Sequence, residues 1–392
     1  MILIFETHPV QYHAPVFERL ASITPLPFRV IYGSDFSCRG YHDVDFGKAF
    51  SWDVNLLQGY PYEILTQAPS VAALKFASFD REFQNRIRDA GEIEGALCLG
   101  YSSPFDRHFI RWTILNRKPL LFRAETSDVA LTRSRWKQAV RDFCLRRLYG
   151  RCAVVLPIGT NSRNHYRRLG VPDSKMIESP YCVDERVFST SAVEAERQRL
   201  ATRLQLGIPE AALVLVYSGK LTHKKGVDLI PKGIRELPAA LGRQIHLLVI
   251  GDGELRSQLE SDCARGSRPV SASFVGFRNQ RELSAFYNAG DMFILPSRFG
   301  ETWGLVVNEA LLHGLPCIVS EMVGSAPDLI TSGLTGEIFT CGRAEHLATQ
   351  LQKIIGWRNP RTRSECQKRA ANFSINRAAE GIGQAFARIR NP

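Results

Sequence analysis

The sequence predicts an α/β protein of two domains, each built on a parallel sheet, and three observations carry that expectation. Short apolar runs of strand length alternate with amphipathic stretches from the first residue to about Leu169. The alternation starts afresh at Leu213. Between Asp291 and Leu329 one complete strand–loop–helix–strand unit is legible: Met292 to Leu295 stops at Pro296-Ser297, a loop and a helix run to Gly314, and Cys317 to Val319 resumes the sheet. Parallel neighbours need such crossovers, because a tight hairpin can join only antiparallel strands.

The chain has 392 residues, 44% hydrophobic and 23% charged, which suits a globular protein of two domains. Met1-Ile2-Leu3-Ile4-Phe5 has no basic stretch before it and no small-residue cleavage site behind it, so it reads as a first strand and not a signal peptide. No apolar stretch approaches the about 20 residues of a bilayer span. The expected location is therefore cytoplasmic, with peripheral attachment to the inner membrane face left open. Nine cysteines without a C-x-x-C pair read as reduced core thiols. A net charge of +11 admits nucleic acid, an anionic membrane surface or phosphorylated substrates as partners, and charge alone does not choose.

In chain order, the first strand leads into Glu6-Thr7-His8-Pro9-Val10-Gln11-Tyr12-His13-Ala14-Pro15, a loop at the carboxyl end of a strand, where open α/β sheets bind ligands. His8, Tyr12 and His13 make an acceptor-side pocket there, the alternative being plain capping and packing. Phe28 to Tyr32 is the second strand, and Gly33 to Ser70 has no clean period. That segment holds Asp43-Val44-Asp45, a superficial Asp-x-Asp metal motif that neither ends a buried strand nor fits this architecture. A helix over Val71 to Ala90, a strand over Ala96 to Leu99 ending in Gly100-Tyr101, a helix over Phe105 to Leu115 and a strand over Pro119 to Phe122 follow, the last ending in Arg123-Ala124-Glu125. Tyr101, Arg123 and Glu125 are further acceptor-side candidates.

Arg133 to Tyr149 is a basic amphipathic helix in which Trp136, Val140, Phe143 and Leu148 share one stripe. A globular fold buries such a stripe on the sheet and leaves the arginines outside; docking onto anionic headgroups or a lipid-phosphate acceptor is its other use. Ala153 to Leu156 and a helix around Ser162 to Leu169 complete the first domain, taken as residues 1–188. The second, 189–375, starts with a polar linker and helix to Gln205. Its first strand, Leu213 to Tyr217, ends in Ser218-Gly219-Lys220, and Lys225 follows, so Gly219 supplies a tight turn and two cations stand where a diphosphate would lie. Ile245 to Ile250 runs into Gly251-Asp252-Gly253, which lacks the third glycine of a dinucleotide fingerprint. Ala272 to Val275 meets Gly276-Phe277, and three helical stretches end the chain: Ala344 to Ile355, Arg361 to Asn372 and Ala378 to Ile389.

Two glutamates mark the central unit, Glu301 at the helix mouth and Glu309 within the helix. Eight helical residues separate them by about 12 Å, the distance from a transferred sugar across a diphosphate to a nucleoside ribose. The amides of Thr302, Trp303, Gly304 and Leu305 lie between, where free N–H groups suit a phosphate. This Glu-x7-Glu segment resembles the signature of the retaining GT-B glycosyltransferases of family 4. The likeness continues through Pro316 to Ser320 and Val323 to Leu329, and includes Gly219 to Gly226, the hinge Val183 to Phe188 and the turn Gly333 to Phe339.

The resemblance implies two facing Rossmann-like doubly wound domains, with the last helix, about 376–392, crossing back onto the first. It implies metal-independent, retaining transfer of a sugar from a UDP- or GDP-sugar to a glycan or lipid-linked acceptor, in surface polysaccharide or glycoconjugate synthesis. No cofactor is expected, since the nucleotide-sugar is a substrate. Glu301 would be catalytic, holding the sugar hydroxyls beside the developing oxocarbenium ion. Gly219, Lys220, Lys225, Gly251, Phe277, Thr302, Trp303, Gly304, Leu305 and Glu309 would bind the donor, Glu309 through the ribose. Relatives carry glycines in the first loop and a histidine near Arg123; this chain has neither, so those roles do not carry over. A sugar-nucleotide 2-epimerase of the same fold is the alternative. A nicotinamide enzyme would need the missing glycine, and a nucleic-acid binder would need stacking aromatics among its basic residues.

Overall fold

The computed structural model describes residues 1–43, 48–50, 53–87, 91–128, 134–357 and 359–390. Asp45 and Arg133, named above, lie outside them, as does the side chain of Asp43. The first domain contains β1 (Ile2–Glu6), β2 (Phe28–Ser34), the small antiparallel pair β3 (Tyr41–Asp43) and β4 (Lys48–Phe50), β5 (Tyr62–Thr66), β6 (Gly95–Cys98), β7 (Leu120–Phe122) and β8 (Cys152–Val155). Six of these form a parallel sheet in the order β5-β2-β1-β6-β7-β8. The second domain contains β9 (Leu213–Ser218), β10 (Ile245–Ile250), β11 (Ser271–Gly276), β12 (Met292–Leu295), β13 (Cys317–Ser320) and β14 (Gly336–Phe339), a parallel sheet in the order β11-β10-β9-β12-β13-β14. The α/β two-domain architecture expected from the alternation is thus present.

The central strands are apolar because both faces are covered. β1, β6, β10, β12 and β13 are buried at every residue, as a parallel sheet between helical layers requires. In each sheet the chain starts in the middle, steps outward to one side, then returns to build the other. The reversal falls between β1 and β6 in one domain and between β9 and β12 in the other. Strand-end loops diverge at that point and leave a crevice.

The last helix, Ile375–Arg390, lies on the first domain. Ala378, Ala379, Ile382, Ala385 and Phe386 are buried there with Leu20 and Phe28, and the Phe28 and Phe386 rings are 6.2 Å apart. It passes so close to the hinge that a Cβ on Gly381 would stand 1.9 Å from the Glu178 carbonyl oxygen.

Three expectations are corrected. The stretch 33–70 is not one aperiodic loop, for it contains the sheet-edge strand β5. The period is lost because an edge strand keeps polar residues: Glu63 receives Arg29 and Arg86 at 3.3 and 2.5 Å. The helix expected over Val71 to Ala90 is a 3-10 turn, Val71–Ala73, followed by a helix over Phe76–Ile87. The third correction concerns the basic helix, Arg135–Arg151. Three of its four stripe residues point outward, Trp136 67%, Val140 56% and Phe143 57% exposed, while Leu148 is half-buried against the first-domain core. The helix is anchored by Leu145 and Tyr149 and by ionic contacts from Asp142 to Arg168, so its polar side faces the domain.

One charged cluster fastens the base of the second domain. The Asp291 carboxylate, just before β12, accepts from Arg199 at 2.9 Å, from Arg203 at 2.6 Å and from the Val214 N–H at 2.8 Å. All three side chains are buried. Removing the anion strands two buried guanidinium groups, so Asp291→Ala should lower unfolding stability by about 3–5 kcal/mol. Urea denaturation of the full chain measures it, and a loss below about 1 kcal/mol would mean that water replaces the carboxylate.

Candidate active site

The loops after β9 and β12 bring charged groups together at the crevice of the second domain. Ser297 Oγ and Lys225 Nζ both donate to Glu301 Oε2, at 2.8 and 2.5 Å. Glu301 is buried. Burial pushes its carboxyl up, but the Lys225 charge, the two hydrogen bonds and nearby Lys224 outweigh it and hold Glu301 below the usual carboxylate range. Lys224 reaches the same place from the turn over His223–Lys225, where a Cβ on Gly300 would meet its Nζ at 3.1 Å. Gly300 has φ +68°, so its lack of a side chain serves both the turn and the lysine.

The helix that follows is shorter than expected, Val306–Leu312, because Gly304 at φ +94° interrupts it. Thr302, Trp303, Gly304 and Leu305 are therefore loop residues. Among the described residues their N–H groups have no protein acceptor. Trp303 turns its indole into the seam between the domains, donating to Asn308 Oδ1 at 2.9 Å and lying 6.3 Å from the Tyr181 ring. Gly159 makes room for it, since a Cβ there would come within 2.4 Å of the indole.

Glu309 is 2% exposed. Tyr287 Oη donates to its Oε2 at 2.7 Å, and burial without a cation pushes the carboxyl up to about 7. At the neighbouring strand ends, Gly219 and Gly251 meet backbone to backbone: the Gly219 N–H donates to the Ile250 carbonyl at 2.9 Å, and a Cβ on Gly251 would lie 1.9 Å from the Gly219 oxygen. Tyr217 Oη donates to the Lys220 carbonyl at 2.8 Å, fixing the turn that carries Lys220. Phe277 begins the loop after β11, and Gln280 beyond it lines a cavity of about 310 Å³ with Gln11 and Arg186.

The first domain faces this loop with a second cavity, of about 230 Å³, lined by His13, Gly100, Tyr101, Ser102, Arg123 and Glu125. His13 Nδ1 is 2.5 Å from Glu6 Oε1. Arg123 does not pair with Glu125; it donates to the Ser179 hydroxyl at 3.0 Å and the Pro180 carbonyl at 3.2 Å, tying β7 to the hinge. Glu125 accepts from Tyr181 Oη, and from Thr302 Oγ1 at 2.8 Å, so it touches the residue next to Glu301. Tyr101 accepts from Arg141 of the basic helix at 3.2 Å.

His8 and Tyr12 stand apart from that cavity. His8 lies against Phe36, ring centroids 4.5 Å apart, and burial pushes its pKa down to about 4. Tyr12 packs against the core of the second domain and edge-on to Tyr181 at 6.3 Å. The seam is closed further by Thr160, whose N–H and hydroxyl donate to Asp328 at 3.0 and 2.7 Å. Among the described residues no group of three or more His, Cys, Asp and Glu stands where a metal could be held.

The sequence reading missed Glu6, Ser297, Lys224 and Tyr287. Glu6 had a signal, a carboxylate closing the first apolar run. Ser297 likewise closes a buried strand. Tyr287 had none, since only the packing of its helix aims it at Glu309.

Known proteins share both the segment and the fold. Residues 198–373 match the family described as glycosyl transferases group 1. A sulfoquinovosyl transferase of Arabidopsis thaliana is 35% identical over 42% of this chain and 30% of that protein. An alpha-D-kanosaminyltransferase of Streptomyces kanamyceticus is 26% identical over 61% of each. The chain thus spans from under a third to about three-fifths of these relatives. Among solved structures, Anabaena HepE in complex with UDP-glucose superposes with a TM-score of 0.69 at 17% identity, over 98% of this chain and 99% of that one. That likeness shows the fold to be the expected GT-B arrangement.

The buried Glu309 carboxyl has a pH signature. Its folded pKa, about 7, lies above the ordinary 4.5, so between these values the folded state is the one that holds the proton. Stability is full below about pH 4.5 and falls as pH rises to 7 and beyond. Glu309→Gln removes this decline and should gain roughly 2–3 kcal/mol on wild type between pH 5 and pH 8. Urea midpoints across that range measure it; parallel pH curves would show that Glu309 titrates normally.

Proposed function

We propose that the chain is a glycosyltransferase that moves a sugar from a nucleoside diphosphate to a hydroxyl acceptor, with retention of configuration and without a metal. The observation that carries this is the pair of buried glutamates eight residues apart, Glu301 held by Lys225 and Glu309 by Tyr287, with unpaired loop amides between them. The match of 198–373 to group 1 glycosyl transferases supports it. Lys220, Lys225 and the amides of Thr302 to Leu305 would bind the diphosphate and neutralise charge as it leaves. Lys225, which donates to Glu301, would then be shared with the phosphate. Glu301 would accept from the sugar hydroxyls and steady positive charge at the anomeric carbon. Glu309 would accept from the ribose. UDP or GDP is the proposed carrier, UDP being favoured by its presence in a protein of this fold. A glycan or lipid-linked acceptor, in polysaccharide or glycoconjugate synthesis, is the proposed partner.

The exposed stripe of Arg135–Arg151 supports an anionic membrane surface as a further partner. Trp136, Val140 and Phe143 stand in water among Lys137, Arg146 and Arg147, with the Arg147 guanidinium 4.4 Å over the Phe143 ring. Apolar side chains ringed by cations suit the headgroup layer. Because Arg141 of this helix holds Tyr101 at the cavity wall, the cavity would open close to that surface.

The two glutamates should separate kinetically. At pH 8, Glu309→Gln should raise the donor KM and cost roughly 10- to 100-fold in kcat/KM, because the ribose is the same in ground and transition states. Glu301→Gln should lower kcat with donor binding kept, since its charge matters only as the bond breaks. Turnover of a UDP- and GDP-sugar panel should persist in excess EDTA. Wild-type kcat in Glu301→Gln, or dependence on added Mg²⁺, would refute the assignment.

Vesicles containing anionic lipid should retain the protein at low salt and release it as salt rises. Trp136→Ser with Phe143→Ser, or Arg146→Glu with Arg147→Glu, should weaken retention at least about tenfold while leaving the circular dichroism unchanged. Equal binding to neutral vesicles would remove the electrostatic argument.

A further inference from the structure

The loop amides proposed to hold the diphosphate owe their direction to a segment behind them. The Glu301 carbonyl accepts from the Gly324 N–H at 3.0 Å, and the Trp303 carbonyl accepts from the Ser325 N–H at 2.9 Å. In a planar trans peptide the carbonyl and the N–H point opposite ways. The N–H groups of Thr302 and Gly304, which share those two peptides, are therefore aimed away from 324–325. Gly324 lets the two segments touch, since a Cβ there would lie 2.0 Å from the Thr302 oxygen.

The backing segment is held in turn by the first domain. Asn161 Nδ2 donates to the Gly324 carbonyl at 2.9 Å, and the Thr160 N–H and hydroxyl donate to the Asp328 carboxylate at 3.0 and 2.7 Å. Thr160 and Asn161 open the helix Thr160–Arg168, so Asp328 satisfies the first N–H of that helix and sits against its positive end. Gly159, just before it, has φ 170°, an extended backbone that any residue adopts. Crowding is what excludes a side chain there: a Cβ would meet the Trp303 indole at 2.4 Å and Asp328 Oδ2 at 2.8 Å. The first domain thus fits closely against both the loop and its backing.

We infer that Asn161 and Asp328 are positioning residues for the donor: by pinning 324–328 to the start of the helix Thr160–Arg168, they fix the direction of the Thr302 and Gly304 amides. This rests on reading those amides as the diphosphate site. Each residue acts through the backbone of 324–325 and not by touching the donor. Contacts across the seam that favour this amide direction strengthen diphosphate binding, and by linkage a bound diphosphate strengthens the contacts by the same factor. The nucleoside has a separate hold, Glu309 with Tyr287, both of the second domain. Loosening the seam therefore weakens the grip on the diphosphate and spares the grip on the nucleoside.

Calorimetry of the full chain with UDP, and ligand-observed NMR with uridine, measure the two holds apart. Asn161→Ala and Asp328→Ala should each weaken UDP about 5- to 50-fold while uridine stays within about twofold of wild type. Thr160→Ser keeps both donors to Asp328 and should bind UDP as wild type does. Asn161 is half-exposed, so its variant stays informative by circular dichroism and binding even where Asp328→Ala fails to fold. If GDP binds and UDP does not, GDP and guanosine take their places. Unchanged diphosphate affinity in Asn161→Ala, or equal losses for nucleotide and nucleoside, overturns the proposal, because the contacts would then only hold the domains together. A wild type that binds neither UDP nor GDP would instead sink the glycosyltransferase reading, and this inference with it.

Discussion

An ionised carboxylate almost sealed from water is the constraint around which the cleft is arranged. Keeping Glu301 charged at such depth requires a cation and a donor at the same oxygen, and Lys225 and Ser297 are both there. Each requirement spreads outward. Lys225 comes from a turn after β9, so the β9 and β12 ends must meet; Gly300 must lack a side chain for Lys224 to pass. A pair of this kind contributes little net stability once desolvation is counted. Its value lies in a fixed negative charge in a low-dielectric place.

Topology explains why both domains aim their chemistry at one gap. Each sheet reverses direction beside its first strand, and the loops that leave those strands, 6–13 and 219–225, are the ones that carry Glu6, His13, Gly219, Lys220 and Lys225. The partner loops across each crevice, at 99–103 and 296–305, carry Tyr101, Ser297 and Glu301. Two such crevices placed mouth to mouth give a site with one wall from each domain. Glu125 and Thr302 mark where the walls touch.

Much of this was legible beforehand, and the failures have physical reasons. Strands buried on both faces announce themselves as short apolar runs, so β1, β10, β12 and β13 were read almost to the residue. The edge strand β5 was not, because Glu63 serves ion pairs on one side of it. In the site, Glu301, Glu309 and Lys225 were singled out through the resemblance that their segments carry, whereas the contacts of Tyr287 and Glu6 depend on which groups burial brings together. The basic helix misled most: periodicity identifies a stripe but not the direction it faces. Direction was set by buried Leu145 and Tyr149 together with Asp142, Arg168 and the Tyr101–Arg141 contact, and the polar members of that set leave no periodic signal.

The polypeptide passes between the domains twice, side by side. The first passage runs through Asp184 and Glu185; the second reaches Ile375, whose N–H donates to Glu185 Oε2 at 3.3 Å. Just beyond, Ser179 Oγ donates to the Ala378 carbonyl at 2.9 Å. Two adjacent passages behave like the two pins of a door: they leave one axis of swing and resist twist about any other. A cleft that swung about that axis would bring Glu125 back to Thr302 and Thr160 back to Asp328, the same bite at each stroke.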